Sequence, residues 1–212
     1  MKRRLLPLLV LSLVGCSTVY YNTMEKMGVH KRDIMVDRVK AAKEAQQDAK
    51  VQFVSAMEQF KSVVKFKGGD LEKEYEKLNA VLLRSEAEAN KVHSRVESVE
   101  AVSDALFDEW RAEIKKYSSD ALKKSSQVKY DATKRTYEDL IAAMKKAESK
   151  LEPALVPLRD QVMYLKHNLN AKAITGLSDE LLTVQTNVDK LVKEIELSIA
   201  QADKFIDALQ EQ

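Results

Sequence analysis

Apolar side chains recur at alternating intervals of three and four residues over most of the chain, and that spacing restricts the fold to long helices packed side by side. Val39, Gln46, Phe53 and Phe60 fall on one seam position of the first such run, and Ala42, Ala49, Ala56 and Val63 on the other. Small alanines at alternate layers let a neighbouring helix approach closely, while the phenylalanines fill the layers between. A second run places Leu71, Leu78, Ser85, Val92, Val99 and Leu106 opposite Tyr75, Leu82, Ala89, Val96, Ser103, Trp110 and Tyr117. Trp110 lies on this stripe and is read as core; Ser85 and Ser103 are weak spots or register markers. The third stripe runs through Tyr137, Ile141, Met144, Leu151, Leu155, Leu158, Val162, Leu165 and Leu169. The last runs through Leu181, Val184, Val188, Leu191, Ile195, Ala202, Phe205 and Leu209, and is wide enough to face two neighbours.

Only 5 Gly and 3 Pro occur in 212 residues, so breaks between helices are few and can be named. Gly68-Gly69 permits a helix C-terminus, and Asp70 can cap the next helix ahead of Glu72 and Glu74. Tyr117-Ser118-Ser119-Asp120 offers a weaker break; if the chain does not turn there, the second and third helices form one rod of roughly 100 residues, about 150 Å long. Pro153 and Pro157 sit within the third stripe, which keeps its phase across both, so one kinked helix is expected. Gly176 reads as a stop and Ser178 as the cap of the last helix. The spacing therefore predicts helices over about 20–66, 70–117, 120–174 and 178–210, forming a single all-α, elongated antiparallel four-helix bundle over residues 20–212. Its length would be roughly 50 to 75 Å.

The chain opens differently. Met1 to Arg4 carries three positive charges, and Leu5 to Val14 is almost uniformly apolar, too short to span a bilayer at about 20 residues. Residues 1–15 read as an export signal. Its end, Leu13-Val14-Gly15-Cys16, resembles a bacterial lipobox, in which the cysteine is lipidated (palmitate among its acyl chains) and becomes the new N-terminus; several acyl chains anchor stably where one holds only marginally. The resemblance implies a short anchor segment over 16–19, and Ser17 in place of Asp implies sorting to the outer membrane, facing the periplasm. Cys16 is the sole cysteine, so no disulfide staples the fold. Little linker follows: Tyr20, Tyr21 and Met24 are available for an interface and Lys31 and Arg32 for lipid phosphates or a partner, unless these are the inward-packed first turns of a helix.

The chain carries 35 Lys and Arg against 33 Asp and Glu; loss of Lys2, Arg3 and Arg4 with the signal leaves 32 against 33, a formal charge of −1. A general nucleic-acid-binding role loses its electrostatic support. His30, His93 and His167 have no second His or Cys at helical spacing, although His93 with Glu97 is a weak candidate metal pair. No phosphate loop or nucleophile elbow is present, so neither catalysis, a metal nor a cofactor is expected.

The run from Tyr20 to Ile34, followed by Ala45-Gln46-Gln47-Asp48-Ala49 and Phe53, resembles an uncharacterised family of gammaproteobacterial lipoproteins defined by a domain of unknown function. The resemblance implies no activity. Anchor and rod together point to a non-enzymatic coiled-coil scaffold, spacer or adaptor in the cell envelope, held to a membrane by its lipid, docking an envelope protein or a second copy of itself. The alternative is a periplasmic chaperone or envelope-stress module that grips protein or lipid clients between its helices.

Overall fold

The computed structural model describes residue 24 and residues 28–66, 68, 70–169 and 171–210. The lipobox residues Leu13, Val14, Gly15 and Cys16, and the expected contact residues Tyr20 and Tyr21, lie outside that set.

Among the described residues five helices follow one another: α1 (Lys31–Val64), α2 (Leu71–Ile114), α3 (Asp120–Glu148), α4 (Leu151–His167) and α5 (Ala171–Gln210). Packing of α1 on α2 and α5, of α2 on α3 and α4, and of both α3 and α4 on α5 makes a four-armed ring in which α3 and α4 share one arm. Cross-links fix the directions. Lys43–Asp203 and Lys50–Glu196, each at 2.5 Å, tie α1 to an antiparallel α5. Lys31–Glu109 at 3.1 Å and Gln59–Glu74 at 3.2 Å tie the two ends of α1 to opposite ends of α2. The all-α antiparallel bundle is thus the architecture, and helices of 34, 44 and 40 residues make it about 50 to 65 Å long.

The seam residues predicted for α1 are all buried: Val39, Ala42, Gln46, Ala49, Phe53, Phe60 and Val63 are 0 % exposed. Ser85 and Ser103 occupy core layers of α2 and return their hydroxyl protons to the backbone, Ser85 to the Val81 carbonyl and Ser103 to that of Glu100. Ser198 fills the α5 layer between Ile195 and Ala202 and is likewise fully buried. Among the described residues its hydroxyl has no hydrogen-bond partner, nor does either polar atom of the Gln46 amide. The antiparallel pairing of α1 with α5 puts these two residues at nearly the same level of the bundle.

Several boundaries differ from the sequence expectation. The first helix does not run unbroken from residue 20: Gly28 takes φ +84, and the Val29 N–H donates to the Met24 carbonyl at 3.0 Å, which closes a turn in the manner of a Schellman cap. Extended His30 then leads into α1. Asp70 caps α2 as predicted, accepting from the Lys73 N–H, and the chain does turn before α3, where Ser119 accepts from the Leu122 N–H. The kinked third helix is interrupted at Ser149 and Lys150, because Pro153 cannot donate to Ser149 and its ring crowds that carbonyl. Both residues keep right-handed helical dihedrals, so the apolar stripe crosses the gap in phase.

The turn expected at Gly176 lies instead near Asn168. The Asn168 side chain donates to the Tyr164 carbonyl and its N–H to that of Leu165, ending α4, while α5 runs through Gly176 without a positive φ. Ser178 does not cap; its hydroxyl bonds back to Ile174 one turn earlier, within α5.

Candidate functional site at the amino-terminal end of the bundle

Helix ends come together where α1 begins. The Lys31 ammonium, on a residue only 4 % exposed, pairs with Glu109 of α2. Arg32 donates to the Leu209 carbonyl in the last turn of α5, where helix carbonyls lack intrahelical partners. Lys31 and Arg32 therefore tie three helix ends together rather than standing free for an external phosphate. Met24, expected at an interface, packs against the hydrophobic core.

Beside this knot lies a small aromatic core of its own, in which Phe107, Ile114 and Tyr130 are buried with Trp110 and Tyr137 against them. Tyr130 meets Phe107 and Trp110 edge-on at 5.6 and 5.7 Å, and Tyr137 reaches Phe205 of α5 at 6.2 Å. Trp110 is half-buried rather than core: its ring packs while its N–H donates to Ser126 at 2.9 Å. Burial raises the Tyr137 phenol above its usual value, a hydrogen bond with Ser103 opposing. A cleft of about 300 Å³ opens between these groups, lined by Arg32, Glu109, Trp110, Ser126, Lys129 and Leu209 among others. Its walls combine an aromatic face with both signs of charge, a lining suited to a small amphipathic group.

A second polar cluster sits at the α3–α4 interruption. His93 of α2 lies between Glu97, at 3.3 Å, and Glu148, while Arg159 of α4 bridges Glu86 at 2.9 Å and Glu152 at 3.0 Å. Glu148 foremost, then Glu97, raises the imidazole above its ordinary value. His93–Glu148 and Arg159–Glu86 are cross-helix ties at a weak point of the ladder, and Glu97 and Glu152 support them from within α2 and α4. Among the described residues no group of three or more His, Cys, Asp or Glu is arranged to hold a metal ion, and no helix is long and apolar enough to cross a membrane.

Two features escaped the sequence reading. Glu109 as the partner of Lys31 lies 78 residues away, with no local signal. Pro157 leaves the Pro153 carbonyl without its helical donor, and the Asn187 side chain of α5 supplies one at 2.9 Å. The proline at i+4 was a legible signal that a donor was needed, but not of its source.

No curated protein matches this chain. A family model does, over residues 20–209, a span that contains every core residue of the bundle from Met24 to Leu209. By that match the chain belongs to the family of proteins of unknown function DUF2959.

Proposed function

We propose that this protein is a non-enzymatic envelope lipoprotein, anchored through Cys16 in the outer membrane and facing the periplasm, whose bundle serves as a scaffold, spacer or adaptor. One observation carries the reading. A signal ending in Leu13-Val14-Gly15-Cys16 stands fifteen residues ahead of Lys31, the first residue of α1, and α1 belongs to a bundle about 50 to 65 Å long. A lipid at Cys16 would hold at the bilayer the end where α1 begins and direct the Gly68 turn outward. Such a body bridges distance and presents surfaces.

The test has two parts. Metabolic labelling with palmitate should mark the wild-type protein and not Cys16→Ala; absence of label from both removes the anchor from the reading. In-cell crosslinking with mass spectrometry of the adducts then defines the role. A discrete envelope-protein adduct that disappears in Cys16→Ala identifies an adaptor positioned by its lipid. Adducts to itself alone identify a self-associating rod, and a broad spread of unfolded clients would replace the scaffold reading with a chaperone.

A further inference from the structure

The hairpin joining α2 to α3 reaches past the described ends of α1 and α5. Lys31, first residue of α1, is level with Glu109, and Phe205 near the end of α5 is level with Tyr137. Five residues beyond Phe205, α5 ends at Gln210. The α2 residues after Glu109 and the first turns of α3 therefore extend roughly 10 to 15 Å beyond the described ends of α1 and α5. Lys115, Lys116, Lys123 and Lys124 lie on this tip, all exposed, with Asp120 the one acidic residue between Lys115 and Lys124. None of these four lysines is ion-paired among the described residues. Flanking the turn, Tyr117 is 43 % and Leu122 58 % exposed, although Leu122 shares the helix face of Ser126 and Thr133, which turn toward the bundle.

The opposite end of the molecule is the control. Around the α1–α2 turn, Lys61, Lys73 and Lys77 each close on a carboxylate three residues away, at 2.9, 3.2 and 2.7 Å. Among the described lysines there only Lys65 is without an ion pair; at the α2–α3 tip none of the four has one.

We propose that the tip formed by residues 115–124 docks the bundle onto an anionic phospholipid surface, the four lysines meeting lipid phosphates while Tyr117 and Leu122 enter the interfacial layer. Clustered lysines are attracted by an anionic bilayer, and an exposed tyrosine and leucine between them gain by leaving water for its boundary. A nucleic-acid duplex would use the same charge but offer nothing to Leu122. The orientation rests on the anchor reading above, since Cys16 precedes α1 and α1 begins at this end. The binding itself does not need the anchor: a lipid at Cys16 and a basic tip beside it would be two membrane signals, the combination that gives stable rather than transient attachment.

The experiment uses the chain from residue 16 onward carrying Cys16→Ser, which keeps the whole core and cannot be acylated. It is sedimented with vesicles of phosphatidylcholine alone or with about one-third phosphatidylglycerol. Binding is expected to the anionic vesicles only, weakening by roughly fivefold for each lysine neutralised. The combined Lys115→Gln, Lys116→Gln, Lys123→Gln and Lys124→Gln variant should lose more than about a hundredfold with an unchanged melting curve. Leu122→Ser should lose severalfold, and glutamine at Lys61, Lys65, Lys73 and Lys77 should leave binding within about twofold. The proposal is overturned by equal binding of the tip variant, by no binding to anionic vesicles, or by tighter binding to a short DNA duplex than to the vesicles. None of these outcomes depends on palmitate labelling of Cys16, and failed labelling would leave this result standing.

Discussion

The two ends of the bundle are built from the same parts, a turn between long amphipathic helices with lysines on either side, yet they treat charge in opposite ways. Around Gly68, Lys61, Lys73 and Lys77 close on carboxylates three residues away along their own helices, whereas Lys116 and Lys123 at the other end have Glu113 and Asp120 at the same spacing and close on neither among the described residues. Around Ser118, lysines stand in pairs with one aspartate among them, and an aromatic cluster rather than an aliphatic seam supports the helices beneath. Local i,i+3 pairs add only about 0.2 to 0.5 kcal/mol each, so neither arrangement decides whether the bundle folds. The difference places stability in the seam and leaves the lysines of the α2–α3 tip without ion pairs among the described residues.

The sharpest way to break that comparison is to truncate each region. Phe53 is wholly buried at the α1 seam, and Phe53→Ala should cost about 3 to 5 kcal/mol. Tyr117→Ser at the tip should cost less than about 0.5 kcal/mol. Denaturant midpoints of the two variants measure this directly, and equal losses would mean that the tip is part of the cooperative core.

A smaller effect of opposite sign is expected at Gln46. Its amide is fully buried without a hydrogen-bond partner, level with the unpartnered Ser198 hydroxyl. An unsatisfied buried polar group costs about 1 to 3 kcal/mol, so Gln46→Leu should raise stability by that order. A single polar residue in a seam also fixes register, so the more stable variant should lose pairing specificity, readable as mixed oligomers in light scattering. A destabilised Gln46→Leu would show that the amide is satisfied in solution.

The seams were legible because each needed only the period of the helix and the alternation of large and small side chains: Phe53, Ala56, Phe60 and Val63 are where spacing places them. What spacing could not reach was pairing across the bundle. Lys31 and Arg32 sit in a run that looks like an exposed basic entry, and only the tertiary fold brings Glu109 and the Leu209 carbonyl to them. The misplaced α4–α5 turn has a different cause. Gly176 reads as a stop, but a glycine ends a helix through a left-handed conformation that Gly176 does not adopt, whereas Asn168 supplies two hydrogen bonds to orphan carbonyls. The lysine pairs at the tip were present in the sequence throughout, hidden by a net charge that averages both ends of the molecule.

Because Gly176 lies within α5, a side chain there should help. A Cβ would meet only the Tyr164 ring, at 3.9 Å, an ordinary contact. Gly176→Ala should therefore add about 0.5 to 1 kcal/mol by removing backbone freedom from the unfolded chain. Thermal melts decide it. Destabilisation would place the turn at Gly176 after all and shorten α5 at its start.

The smallest effect concerns the ion pairs of the body, which the tip lacks. His93 is exposed and sits between Glu148 and Glu97, with Arg159, Glu86 and Glu152 on the same groove. Its folded-state pKa lies above the ordinary value of 6.5, chiefly through Glu148. The protonated ring is thus favoured by folding: its contribution is complete below the unfolded value and declines as pH rises through the higher folded one. Wild type should exceed His93→Gln in denaturant midpoint at about pH 5.5, and the two should converge by about pH 8.5. Solvent exposure keeps the gap small, and about 0.5 M salt should narrow it at the lower pH. A gap that widened with pH would reverse the sign and exclude the Glu148 pair as its source. The tip variants should show no such pH dependence in their melting, because the lysines at Ser118 form no ion pair among the described residues whose loss protonation could control.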